Sequence, residues 1–302
     1  MIVGGNDYCK VKVVNIIGGL GNQMFQYAFY LALKHKHFDV ECDISMLLHQ
    51  KQHNGYELSR LFGIQLNKDC YLFNIVRLYY YCRTHQNNLL CSVILNILRR
   101  MNYELVLDTA PSSFFSDIVK TRKNLFLGYW QSEFFFKEIK NDIFHAFTFK
   151  IELLSLKTLS VLEDIKRGNS VSVHIRRGDY LLPENLQLYG NICTIEYYQK
   201  ALTVICERVS QPSFFVFSND IAWVKEHINI PNSIYVNFNS GSDSWQDMFL
   251  MSQCKHNIIA NSSFSWWGAW LNRNTNKIVI TPSRFINLEE NSDIIPDTWI
   301  RI

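Results

Sequence analysis

The sequence predicts an α/β protein built on largely parallel sheets and divided into two parts. Three observations carry this. Short Val-, Ile- and Phe-rich runs alternate with helix-length segments through the second half of the chain. Polar and charged residues gather where those apolar runs end. A glycine-rich turn joins the first strand to the first helix. Strand–helix alternation builds crossover units whose strands lie parallel with helices on the sheet faces. Ligands of such sheets bind beyond the carboxyl ends of the strands.

Residues 12–17, rich in Val and Ile, predict the first strand. Gly18-Gly19-Leu20-Gly21-Asn22-Gln23 follows, with a helix expected over 24–33. A glycine turn at this place, Gly19 within it, lets backbone N–H groups approach an anion at the helix start. It is not the dinucleotide fingerprint, because counted from Gly19 the third glycine is missing. Asn22 and Gln23 either cap the helix or hydrogen-bond a ligand. Residues 40–45 predict a second strand. From 46 to 122 the elements cannot be ordered, although 56–62, 75–81 and 89–98 read as helical and 103–107 as a strand. The expected strand 124–129 ends in Gly128-Tyr129-Trp130-Gln131-Ser132-Glu133. Rings and amides there, Gln131 among them, either line a sugar site or form a core corner. An amphipathic stretch over 134–149 and a helix over 151–166 come next. The domain boundary is expected between about 150 and 168, giving domains 1–150 and 168–302.

The second half reads more clearly. A buried strand is expected over 170–175, followed by Arg176-Arg177-Gly178-Asp179-Tyr180. Alternation along the strand puts His174 and Arg176 on one face, with Arg177 elsewhere or in the turn. A helix over 194–209 has Thr194 as its N-cap. The strand 213–217 ends in Ser218-Asn219-Asp220 and leads to a helix over 222–227. A strand over 233–237 precedes a helix over 245–254, with Asp243 and Ser244 as caps. The strand 257–260 ends in Asn261-Ser262-Ser263, before a helix over 264–271 and a strand over 277–280. Two guanidiniums at a strand end suit a diphosphate. Asp220 suits the paired donors of a guanine edge, or caps the next helix. Ser262 and Ser263 suit phosphate oxygens at a helix start, or act as caps alone. Three such sites on one edge favour a nucleoside-diphosphate pocket over separate surface pairs and caps.

Composition narrows the function classes. A formal net charge of +3 does not suggest a nucleic-acid binder. Eight scattered cysteines include no Cys-x-x-Cys pair and read as reduced core residues, which fits a cytoplasmic protein. Neither a signal peptide nor a membrane-spanning run is expected. The apolar stretch 89–98, near Arg77, Arg83, Arg99 and Arg100, reads as a buried helix or as one resting on an anionic membrane. There is no Asp-x-Asp, no His-Glu-x-x-His, no Gly-x-Ser-x-Gly and no phosphate-binding loop ending in Gly-Lys-Ser/Thr. No metal site or cofactor is therefore expected. The charge of a leaving diphosphate then falls to arginine and backbone donors.

Three long stretches resemble one family. Gly18-Gly19-Leu20-Gly21-Asn22-Gln23-Met24-Phe25-Gln26-Tyr27-Ala28 resembles the amino-terminal motif of the α-1,2-fucosyltransferases, glycosyltransferase family 11. His174-Ile175-Arg176-Arg177-Gly178-Asp179-Tyr180 resembles the donor-site motif. Asn261-Ser262-Ser263-Phe264-Ser265-Trp266-Trp267-Gly268-Ala269-Trp270-Leu271 is similar to the carboxyl-terminal one. Residues 128–133 also look familial, so the resemblance covers nearly the whole chain.

The resemblance implies a GT-B-like fold, two Rossmann-like domains facing a central cleft. It implies metal-independent, inverting transfer of fucose from GDP-β-L-fucose to the 2-hydroxyl of a terminal β-galactoside. A bacterial member would act in the cytoplasm on a free oligosaccharide or a lipid-linked precursor. Arg176 would stabilise the β-phosphate with Arg177 in support. His174 would approach guanine or ribose, and Asp220 the guanine edge. Asn261, Ser262 and Ser263 would hold phosphates, and Asn22 and Gln23 would reach in from the first domain. Asp179 is the nearest base candidate, weakened by adjacent cations, with Glu133 and Glu184 as looser ones. A transferase of different sugar or linkage, and a non-catalytic GDP- or sugar-binding module, are the competing readings.

Overall fold

The computed structural model describes residues 11–49, 54–66, 71–108, 115–287 and 293–302. Cys9 and Cys70 lie outside them. The chain forms two units, 1–147 and 148–302. Each is a parallel sheet flanked by helices, so the expected fold of two Rossmann-like α/β domains is what the chain adopts.

The first unit contains β1 (Lys12–Asn15), α1 (Leu20–His35), β2 (Val40–Asp43), α2 (Ser45–His49), α3 (Leu58–Phe62), α4 (Tyr71–Thr84), α5 (Leu89–Arg100), β3 (Leu105–Leu107), α6 (Phe115–Lys120), β4 (Leu125–Leu127) and α7 (Lys140–Ala146). Its four strands run parallel in the order β2-β1-β4-β3. The helix expected at 24 starts at Leu20, with Gly19 as an N-cap that lends no side chain. Asn22 and Gln23 are therefore first-turn residues and not caps. Aromatic rings fill one face of the sheet: Phe29 stacks on Trp130 with centroids 4.2 Å apart. Lys12 is buried at the start of β1. Its ammonium donates to the Thr121 carbonyl (3.0 Å) and lies near the rings of Phe38 and Phe126.

The second unit contains α8 (Leu156–Arg167), β5 (Asn169–Ile175), α9 (Pro183–Tyr189), α10 (Ile195–Arg208), β6 (Pro212–Ser218), α11 (Ile221–His227), β7 (Ser233–Val236), α12 (Trp245–Gln253), β8 (His256–Ile258), α13 (Ser263–Leu271), β9 (Val279–Thr281) and β10 (Ile300–Arg301). Thr194 caps α10 through Tyr197 N–H, as expected. Asp243 and Ser244 make no side-chain cap on α12, because residues 241–243 wind into a 3-10 turn that feeds the helix directly. The six strands run parallel in the order β10-β9-β8-β5-β6-β7. Counted from β5, this is the doubly wound order 3-2-1-4-5-6, with the reversal of direction between β5 and β8. Val171, Val173, Phe214, Val216 and Ile258 form the core of this sheet. In α13, Trp266, Trp267 and Trp270 are buried, and Trp266 Nε1 donates to the Ile294 carbonyl. Each such side chain buries a larger area than an aliphatic one does.

Candidate functional site

The carboxyl ends of β6, β5 and β8 are adjacent, and side chains knit them together. Arg177 N–H donates to Asn219 Oδ1 (3.0 Å), joining the loops after β5 and β6. Tyr180 Oη donates to the Asn261 carbonyl (3.0 Å), joining the loops after β5 and β8. Tyr198, on α10, donates to the His174 carbonyl (3.1 Å) and anchors the end of β5. Gly178 must be a glycine here: its φ is +39°, and a Cβ would lie 2.2 Å from Asn219 Nδ2.

The two arginines have different environments. The Arg177 guanidinium lies 3.5 Å from the centre of the Trp223 ring, and its Nε donates to Asp220 Oδ2 (3.3 Å). Asp220 also caps α11, accepting from Trp223 N–H (3.2 Å). Arg177, Trp223 and Asp220 thus form one braced group. Arg176 is one-third exposed. Its Nη2 lies 2.8 Å from Asp179 Oδ1 as an ion pair without hydrogen-bond alignment, and its guanidinium lies 5.6 Å from the Tyr180 ring. That pairing orients Arg176 and makes Asp179 a guanidinium partner first.

His174 is buried beside this arginine, with its ring 6.0 Å from the Phe264 ring. Burial, then the Arg176 charge, pull its pKa down to about 3. The imidazole is neutral at physiological pH and acts as a dipole or hydrogen-bonding group, not as a cation. Its Nδ1 has no hydrogen-bond partner.

The strand end after β8 departs in part from expectation. Asn261 is buried, and both its amide hydrogens are committed, to the Tyr189 and Phe285 carbonyls (3.1 Å each). Its Oδ1 accepts from Cys193 Sγ (3.4 Å). The side chain is a structural clamp that points inward, so the expected phosphate role does not fit its amide group. Ser262 caps α13 through Phe264 N–H (3.3 Å). Ser263 is the first residue of α13 and is half-buried. Its hydroxyl, with the first-turn N–H groups, makes an anion-receptive helix start at the point where the strand order reverses.

In the first unit, the glycine turn sits where β1 and β4 meet. Gln26 bridges the two strand ends: its Oε1 accepts from Ile17 N–H (2.9 Å), and its Nε2 donates to the Gly128 carbonyl (3.0 Å). Asn22 and Gln131 are brought together, Gln131 Nε2 donating to Asn22 Oδ1 (2.8 Å), and both are half-buried. Gln23 is fully buried. Its amide donates to the Gly18 (2.9 Å) and Gly55 (2.8 Å) carbonyls, and its oxygen accepts from Glu57 N–H (3.0 Å). Both its hydrogens serve the loop, so the Gln23 side chain is a latch and not a ligand contact. Of the looser base candidates, Glu133 opens a half-buried 3-10 turn and Glu184 is exposed in the first turn of α9.

Sequence reasoning missed Trp223, Asn219 as an anchor, and Asp247. The only local signal for Trp223 was an aromatic three residues after a capping aspartate. Asp247, in the first turn of α12, accepts from Asn239 Nδ2 (2.8 Å), and burial pushes its carboxyl up to about 7. The sequence also contains a His-x-His, His35-Lys36-His37, at the end of α1. Among the described residues, no group of three or more His, Cys, Asp or Glu side chains is placed to hold a metal ion.

Ligands of doubly wound sheets bind at the reversal point, where this sheet presents a guanidinium and a helix start. The chain is a glycosyltransferase: residues 11–302 match glycosyl transferase family 11, and it belongs to that family. It is 36% identical to the α-1,2-colitosyltransferase of Escherichia coli, over 97% of this chain and 99% of that one. It is 32% identical to the O-antigen biosynthesis glycosyltransferase WbnK of Escherichia coli, over 94% and 98%. It is 30% identical to galactoside α-(1,2)-fucosyltransferase 1 of Saimiri boliviensis boliviensis, over 45% of this chain and 40% of that one.

Proposed function

We propose that the protein transfers L-fucose from GDP-β-L-fucose to the 2-hydroxyl of a terminal β-galactoside, with inversion and without a metal. The observation that carries the reading is Arg176, partly exposed at the reversal point of the six-stranded sheet and held by Asp179. As the bond between fucose C1 and the β-phosphate oxygen breaks, the departing GDP gains negative charge. Arg176 and the N-terminus of α13, with the Ser263 hydroxyl, offset that charge. The galactose 2-hydroxyl attacks C1 from the opposite face, the new C1–O bond replaces the one to GDP, and the hydroxyl proton passes to water. Arg177 over Trp223, with Asp220, forms the flat, charged wall suited to the nucleoside end. Neutral His174 offers its ring beside Arg176. Asn22 and Gln131 are the first unit's polar pair available to a sugar. The acceptor is an oligosaccharide or lipid-linked glycan met in the cytoplasm, a reading supported by the O-antigen relative.

One observation favours a second donor. The relative of 36% identity is named for colitose, the 3-deoxy counterpart of L-fucose. The two donors differ by one hydroxyl, so a site that hydrogen-bonds the 3-hydroxyl separates them and an apolar one does not. Incubation with GDP-fucose or GDP-colitose and lactose, with the product linkage read by NMR, tests the proposal. An α-1,2-fucosyl product formed faster than the colitosyl one supports it. Preference for colitose shifts it to the second donor. GDP binding with no transfer of either sugar leaves a binding module.

A further inference from the structure

The helical hairpin α4–α5 is apolar on two faces. Its inner face is accounted for: Val76, Tyr79, Cys82, Cys91, Leu95 and Leu98 pack with β-strand residues in one core cluster. Its outer face is not. On α5, Leu89, Val93 and Ile97 recur every four residues and form one exposed ridge, with Leu90 beside it. Leu89 is 82% exposed and Leu90 66%. On α4, Leu78 and Tyr81 are likewise exposed, three residues apart. A surface helix ordinarily turns one apolar stripe inward and a polar face to water. A second contiguous stripe marks an interaction surface.

The charge around the ridge selects the partner. Arg77, Arg83, Arg99 and Arg100 are all exposed on the hairpin. Residues 71–103 contain no aspartate or glutamate. The first carboxylate beyond them, Glu104, pairs with Lys123 (3.3 Å). Among the described residues no ion pair is formed by those four arginines. Exposed leucine, valine and isoleucine with a basic rim and no carboxylate is the pattern of a helix that lies in the headgroup region of an anionic bilayer. No helix among the described residues is long and apolar enough to cross a membrane, so the contact is with the surface.

We propose that the outer face of the α4–α5 hairpin docks on an anionic lipid surface, with the α5 ridge inserted among the acyl chains and the arginines at the phosphates. This does not depend on which sugar the enzyme transfers. Flotation of the whole protein with mixed phosphatidylglycerol–phosphatidylcholine vesicles and with pure phosphatidylcholine vesicles tests it. Binding is expected only with phosphatidylglycerol, and it should weaken as salt screens the charges. The double variant Val93→Glu/Ile97→Glu should not float, while keeping its thermal midpoint and its transfer rate to a water-soluble acceptor. Arg99→Ala/Arg100→Ala should weaken partitioning about 30-fold, from about tenfold per 1.4 kcal/mol and about 1 kcal/mol per charge. Absence of flotation at low salt overturns the proposal. So does flotation that survives Val93→Glu/Ile97→Glu, or a vesicle-free dimer that this variant dissolves, which would make the ridge a contact between two copies.

Discussion

Replacing Gly178 with alanine tests how the donor loop is built. With φ at +39°, a side chain at this position costs about 1–2 kcal/mol from left-handed backbone alone. The new methyl would sit 2.2 Å from Asn219 Nδ2, so Asn219 must move. Moving it breaks the bond from Arg177 N–H to Asn219 Oδ1, worth about 0.5–1.5 kcal/mol. The expected loss is about 2–3 kcal/mol in the second unit. Six of the seven tryptophans lie in that unit, so tryptophan fluorescence in a denaturant titration follows it. Asn219→Ala should lose only the hydrogen-bond part. Gly178→Ala/Asn219→Gly relieves the clash but still lacks the hydrogen bond and still has the backbone penalty, so it should gain over Gly178→Ala no more than the cost of forcing Asn219 aside. GDP titration of Gly178→Ala should show weaker binding, because Arg177 loses its backbone anchor. A Gly178→Ala variant within about 0.5 kcal/mol of wild type, the range of neutral surface changes, would refute the reasoning.

Arg176→Ala should lower turnover about 10²–10³-fold with an unchanged melting curve; Arg177→Ala, which also strips Trp223 of its cation, should instead lower stability by about 1 kcal/mol. Gln23→Ala leaves the Glu57 N–H and two carbonyls unpaired in a buried place, and should cost about 2–4 kcal/mol on denaturation of the first unit. Asp247 binds its proton up to about pH 7 when folded but only to about pH 4 when unfolded, so its contribution to stability falls as pH rises through that window. Asp247→Asn, which keeps the acceptor for Asn239, should remove that slope: relative to wild type the variant gains stability from pH 5 to pH 8, and an unchanged difference between those pH values would count against the buried-acid reading.

Much of the second unit was legible because its central strands, β5, β6, β8 and β9, are mostly buried on both faces. Such strands read as continuous Val, Ile and Phe runs, and their ends are marked by an abrupt change to polar residues. The parallel order then fixes where those ends lie. Asn261 shows the limit of that signal. It sits at a strand end, but its amide is claimed by the carbonyls of Tyr189 and Phe285, which no local pattern reveals. Gln23 is hidden from local reading for a similar reason, its partners at Gly55 and Glu57 lying beyond the helix that carries it. The sequence pattern puts the start of α1 too late because Gly21 reads as loop, although a glycine in a first helical turn is tolerated at a cost of about 1 kcal/mol. Strands β3 and β4 fall inside the stretches expected at 103–107 and 124–129, but with three residues each they are too short for alternation to fix their ends.

The place of β5 in its sheet bears on how the chain is synthesised. Val171 pairs with Phe214 on one side and with His256 on the other. A nascent chain can therefore complete one flank of β5 early, but leaves the other as an open edge until β8 has cleared the ribosome. That edge is apolar and parallel, a template for mispairing between chains and slow to close. Truncation ahead of residue 256 should leave an aggregating product and not a smaller soluble domain. The reversal of strand order that creates the donor crevice also makes that crevice one of the last features of the unit to form.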